Sequence, residues 1–200
     1  MKRVIIVVLI LLAITGIYLL NKKNSSGNSE KKQEALKVGR HSESFNSEID
    51  SALQYYFEMK NAFVNADTLS AKSLCNKMIA AFDSIHLTEL KKDTAGIFEA
   101  ANMQINDIKI NAQSLITQTN ITEMRQDFRM VSENIYPFLK TIHYAGKIIY
   151  LQNCPMAFGE DKEANWLSNT AEIINPYLGN NDPVHKDSML HCGEIKDSIQ

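Results

Sequence analysis

Four stretches between Ser44 and Ile142 repeat large apolar residues at three- and four-residue steps, and this pattern constrains the fold more than any other feature of the chain. The first carries Phe45, Ile49, Leu53, Tyr56, Phe57, Phe63 and Val64. The second follows Asp67, a good N-cap, and carries Leu74, Cys75, Met78, Ile79, Phe82 and Ile85. The third runs from about Thr94 to Thr117 with Ile97, Phe98, Ala101, Ile105, Ile108, Ala112, Leu115 and Ile116. The fourth starts at Asn120, with Glu123 three residues on as in a capping box, and carries Met124, Phe128, Val131, Ile135, Phe138, Leu139 and Ile142. Pro137 lies inside that last stripe and predicts a kink or an early end. Each stripe is one buried face of a helix, and the connections are short. The expectation is an all-α, up-down four-helix bundle over residues 41–146.

The N-terminus sets the address. Lys2 and Arg3 precede an apolar run from Val4 to Leu20, interrupted only by Thr15 and Gly16, and Asn21, Lys22 and Lys23 follow. The run is just long enough to span a bilayer as one helix, and no good small-x-small cleavage site ends it. Residues 1–23 are therefore expected to be a single transmembrane anchor, with a cleaved export signal as the alternative. No Cys follows the run, so lipoprotein processing is excluded. The expected location is the inner membrane, single-pass, with the domain in the periplasm, or free in the periplasm if the segment is removed. Residues 24–40 begin with the polar run Asn24 to Glu34, which has no periodicity and reads as a flexible linker.

Charge narrows the partners. Without Lys2, Arg3, Lys22 and Lys23, 17 of the 21 basic residues face all 23 acidic ones, a balance of −6. Such a domain offers no electrostatic footprint for nucleic acid. Hydrophobic residues are 44% of the chain, enough for a core. No Gly-rich phosphate loop, no G-x-S-x-G and no H-E-x-x-H is present, and no catalytic residue is assigned. The chain is expected not to be an enzyme; thiol redox catalysis in particular calls for a C-x-x-C at a helix start, which is missing.

After Gly146 the pattern changes. Residues 147–200 hold three of the four prolines, the only Trp and a short apolar run, Ile148 to Leu151, readable as an edge strand. An irregular C-terminal lobe packed on the bundle is expected there. Of the three cysteines, Cys75 lies on a helical stripe and reads as a small buried apolar residue. Cys154 and Met156 are two apart, so an extended chain puts them on one side. Met189 and Cys192 are three apart and share a face of a turn or helix. If the turns at Asn175–Pro176 and Asp182–Pro183 bring the ends together, two thiols and two thioethers converge. Soft sulfur donors of this kind select Cu(I) or Ag(I). His185 and His191 are spare nitrogen donors, and Trp166 could stack on a bound cation. The plainer alternative is a Cys154–Cys192 disulfide stapling the lobe, with Met156, Met189 and Trp166 as ordinary packing residues. His41, His86 and His143 read as surface or partly buried side chains.

Cys154-Pro155-Met156-Ala157, Trp166-Leu167-Ser168, Asn175-Pro176-Tyr177-x-Gly179 and Met189-Leu190-x-Cys192-Gly193 together resemble the C-terminal signature of a bacterial family of exported domains of unknown function, number 3347. Upstream, the apolar anchor, Tyr55-Tyr56-Phe57 and the run Arg125 to Ser132 fit the same resemblance, which extends from about Ser44 to Gly193. It implies heavy-metal handling, because members are similar to domains fused to periplasmic adaptor subunits of copper and silver efflux systems. It implies Cys154, Met156, Met189 and Cys192 as the metal positions, with Trp166, Asn175, Pro176, Tyr177, Gly179 and His191 in support, and an efflux adaptor as a partner. One departure stands out: residues 180–187 make the Gly179-to-Met189 spacing longer than the family's usual one.

Overall fold

The computed structural model describes residues 41–93, 96–180 and 186–200. The expected anchor and linker, and His185 with the Asp182–Pro183 turn, lie outside the described residues. Among the described residues no helix is long and apolar enough to cross a membrane.

Four helices form where the stripes place them: α1 (Glu43–Val64), α2 (Thr68–Asp83), α3 (Ile97–Thr117) and α4 (Ile121–Thr141), with a 3-10 segment, Leu87–Lys92, between α2 and α3. Three starts are capped by side chains that accept an otherwise orphaned N–H. Ser42 Oγ accepts from Phe45 at 3.1 Å, Asp67 Oδ1 from Ser70 at 2.9 Å and Asn120 Oδ1 from Glu123 at 3.0 Å. Pro137 does not end α4, which continues to Thr141. Proline removes one N–H from the ladder, but its neighbours Phe138 and Leu139 are fully buried and hold the last turn against the core.

Every residue of the first and fourth stripes is buried. In the second and third, Leu74, Ile79, Phe98 and Ile116 lie at the margin, packed on the core from a half-buried position. Helices α1 and α4 meet through aromatic rings, Tyr56 on Phe128 at 5.3 Å and Phe63 on Phe128 at 4.9 Å between centroids. Between them, the Arg125 guanidinium donates to the Phe63 carbonyl at 3.0 Å.

The C-terminal lobe corrects the all-α expectation, because it contains a three-stranded antiparallel sheet in the order β2-β1-β3. The strands are β1 (Ile149–Cys154), β2 (Ala164–Ser168) and β3 (Glu194–Ile199). The apolar run read as an edge strand is the central one. Two features hid the rest: β2 has only five residues, and β3, Glu194 to Ile199, is mostly exposed and polar. Neither offers a long alternating pattern. Strand β3 is also irregular, since Leu151 pairs with Asp197 but Gln152 with Ile195. One extra residue, Lys196, is thereby accommodated as a bulge.

Bundle and sheet share one hydrophobic core. A hydrogen-bonded chain ties them. The Ser132 hydroxyl donates to the Phe128 carbonyl at 2.9 Å, the Tyr56 hydroxyl donates to Ser132 Oγ at 2.6 Å, and the Leu167 N–H of β2 donates to the Tyr56 oxygen at 2.9 Å. Burial of the Tyr56 phenol pushes its pKa upward, so it stays a donor.

Candidate functional site

Strand alternation puts Gln152 and Cys154 on one face of β1, opposite Trp166 and Ala164 of β2. The long connection from β2 to β3 returns to this region and brings Cys192 to Cys154. Their sulfurs are 2.9 Å apart although the residues are 38 apart in the chain. Both are free thiols. Cys154 is fully buried and Cys192 partly exposed. Burial, and then the neighbouring Cys154, push the Cys192 thiol up to about 12, so it carries its proton at neutral pH. Cys75 is far from this pairing in role: it sits in the bundle, donates to the Ala112 carbonyl at 3.3 Å, and burial likewise raises its pKa to about 12.

Asn175 builds the loop that carries Cys192. Its backbone N–H donates to the Leu190 carbonyl at 2.8 Å and its side-chain Nδ2 to the Cys192 carbonyl at 3.0 Å. Its Oδ1 accepts from the N–H groups of Tyr177 and Leu178 at 2.8 and 3.2 Å, a turn that Asn before Pro176 favours. A second clamp is the contact of His191 Nδ1 with the Ile173 carbonyl at 2.8 Å. Gly193 is the third. Its φ is +149°, and a Cβ there would lie 2.6 Å from the Asn153 carbonyl oxygen, 2.9 Å from Trp166 Cη2 and 3.1 Å from Ile173 Cγ2. Only glycine lets the chain pass that close to β1 and the indole immediately after Cys192.

Aromatic packing fixes the scaffold beneath. Tyr177 lies among Phe128, Phe158 and Trp166, with centroid distances of 5.9, 5.2 and 5.9 Å, and its hydroxyl donates to the Asn165 carbonyl. Trp166 is wholly buried and spends its faces on protein. Gln152 Nε2 donates to the carbonyls of Thr170 and Glu172, both at 3.0 Å, securing the start of the connection. Gln152 Oε1 and Trp166 Nε1, on cross-strand partners, are buried without a protein hydrogen-bond partner.

The expected site residues therefore fall into three groups. Cys154 and Cys192 are brought into contact. Trp166, Asn175, Tyr177 and His191 shape the strand and loop around them. Met156 is 42% exposed in the turn after β1, and Met189 is half-buried against the core in the turn before Cys192, whose N–H bonds the Met189 carbonyl at 3.0 Å. The sulfur contact itself is between the two thiols. His41, His86 and His143 are remote from it: the first caps α4 through the Ile142 carbonyl, and the other two are exposed. Among the described residues no group of three His, Cys, Asp or Glu side chains gathers as a metal site. Two participants escaped the sequence reading, Gln152 and Asn153, whose Nδ2 donates to Asn165 Oδ1 of β2 at 2.9 Å, because buried amides look like surface residues until their strand is placed.

Fold and site together define a helical-bundle domain with a small sheet whose connection presses one thiol against another. A family model described as a protein of unknown function, DUF3347, matches residues 52–146, and so the chain is similar to that family over most of the bundle. The match stops before β1 and does not reach Cys154 or Cys192. No curated protein and no solved structure matches.

Proposed function

We propose that this is a membrane-tethered periplasmic module that binds a soft monovalent metal ion, Cu(I) or Ag(I), as cargo, and holds it for efflux or homeostasis. The observation that carries this reading is the contact of two thiols from distant parts of the chain, 2.9 Å apart. The donor set fits the cargo. Two sulfurs satisfy a soft ion, whereas zinc in a structural site takes four ligands. Cys154 and Cys192 would bind as thiolates, and loading would release their protons. Met156 and Met189, two and three residues from a cysteine, would supply thioethers to the same ion. Asn175, His191 and Gly193 hold Cys192 in place so that the sulfurs meet without rearrangement of β1. No turnover is involved. An efflux adaptor subunit would be the recipient.

The test is competition of the reduced chain with a chromophoric Cu(I) chelator. Wild type is expected to withdraw about one ion per chain and the Cys154→Ser/Cys192→Ser double variant none. Equal withdrawal by both would dispose of the proposal.

The same contact favours a second reading, a disulfide-locked structural or interaction domain of the envelope. Cross-linking two positions 38 residues apart stabilises a fold by about 3–4 kcal/mol in the chain-entropy model. Mass spectrometry of the chain isolated without reductant discriminates: a Cys154–Cys192 bond that mild reductant leaves intact supports the lock.

A further inference from the structure

We infer that Cys154 and Cys192 form a reversible dithiol–disulfide switch whose oxidised state shuts the metal site, with Cys192 as the sulfur that meets the oxidant and Cys154 as the one that resolves it. The inference rests on the soft-metal reading for its consequence, though not for its chemistry.

The two thiols already touch, so bond formation needs no long search by the chain. Their exposures differ. Cys154 ends the central strand, is paired with Ala164 of β2 and is fully buried, and is shut off from any incoming molecule. Cys192 sits on a connecting turn and keeps part of its surface. An external disulfide can therefore reach one sulfur and not the other. The loop that carries Cys192 is held by hydrogen bonds from Asn175 and His191 that do not involve either thiol, so it keeps its place in both redox states. Cys75, buried in the bundle and bonded to Ala112, has no thiol neighbour and stays a bystander.

The oxidant is a disulfide, either of a small thiol or of a protein. Because burial keeps Cys192 largely protonated, only its minor thiolate form reacts and the step is slow at neutral pH: its Sγ attacks one sulfur of the oxidant, the external S–S bond breaks as the mixed disulfide forms at Cys192, and the leaving sulfur takes up the proton that Cys192 gave up. Cys154 Sγ then attacks Cys192 Sγ, the mixed disulfide breaks, and the second thiol leaves with its proton. The protein has lost two electrons and two protons, and the external disulfide has become two thiols. The resulting bond uses the electron pairs that would otherwise coordinate a soft ion, so the oxidised site retains at most the two thioethers.

The experiment equilibrates the full chain with oxidised and reduced glutathione at graded ratios, quenches with acid, unfolds the chain in denaturant, alkylates the remaining thiols and counts them by mass; in parallel, each folded sample is freed of glutathione and titrated with Cu(I) against the chelator. The expected count falls from three alkylated cysteines to one, Cys75, and returns to three on reduction. Copper withdrawal is expected to vanish and return with it. Early quenching of the wild type is expected to catch glutathione on Cys192, and the Cys154→Ala variant to retain that adduct. A count that stays at three, or that falls and does not recover, overturns the switch even if copper binds. A count that falls while copper withdrawal persists overturns the shutting of the site. An early adduct on Cys154 overturns the order of attack. Failure of the fully reduced chain to withdraw copper removes the metal reading and the shutting together, while the thiol count still decides the redox chemistry independently.

Discussion

Replacing Gly193 by alanine tests how Cys192 is held. Two effects act at that position. The backbone sits at φ +149°, a region essentially reserved for glycine, which costs an L-residue about 1–3 kcal/mol. The new methyl also meets the Asn153 carbonyl oxygen at 2.6 Å and Trp166 Cη2 at 2.9 Å, distances at which something must shift. Overpacking of this kind costs about 1–3 kcal/mol more. Gly159 is the internal control. Its φ is +112° and nothing lies within 4 Å of a Cβ there, so Gly159→Ala carries the backbone strain alone. The two variants should differ by about 1–3 kcal/mol, or about 1 M in urea midpoint for a domain of this size. Trp166, the only tryptophan and wholly buried beside the new methyl, reports unfolding by its fluorescence. If the loop yields locally instead, Cys192 moves off Cys154 and its alkylation in the native chain accelerates. Equal midpoints for the two variants, with Cys192 alkylation unchanged, would refute the claim that close packing at Gly193 positions the thiol.

Tyr56→Phe is expected to destabilise the domain by about 1–3 kcal/mol, because the buried Leu167 N–H loses its acceptor; urea unfolding measures it. Ser42→Ala removes the cap of α1 and should cost about 1 kcal/mol in the same assay. Asp197 is held down to about 2 by hydrogen bonds from Tyr136 and Lys140, below the ordinary carboxylate value of about 3.9. Its contribution is present above the ordinary value and is lost as the pH falls toward about 2, so the wild-type midpoint should drop across that window more than that of Asp197→Asn, and parallel curves would contradict it. Cys75 should resist alkylation in the folded chain at pH 8 and react on unfolding, since it is buried and its thiol stays protonated.

The bundle was legible because each helix buries a wide stripe, and a stripe such as Met124, Phe128, Val131, Ile135 and Phe138 is hard to read as anything else. Caps at Asp67 and Asn120 set two of the starts. Of the two outcomes Pro137 predicts, the early end does not occur, since tertiary burial of Phe138 and Leu139 outweighs the lost hydrogen bond. The sheet was mostly illegible. A strand such as Glu194–Ile199, paired on one side and wet on the other, carries its information in backbone hydrogen bonds that the side chains do not advertise. At the site, the spacing of cysteines and methionines singled out four sulfurs, and the encounter of the two thiols followed the expected turn at Asn175. The roles of Gln152 and Asn153 were invisible, because they depend on which residues end up across the sheet.

The hydroxyl of Tyr56 has a practical corollary for anyone dividing this chain. The match of the family model ends at Gly146, but the physical unit does not. A fragment stopped there would strip Tyr177 from the Phe128 ring and leave the phenol of Tyr56 without the Leu167 amide it receives. The helices would keep their periodicity and lose the cover over one side. Sheet and helices thus close over one core, and the border of sequence likeness is no place to cut.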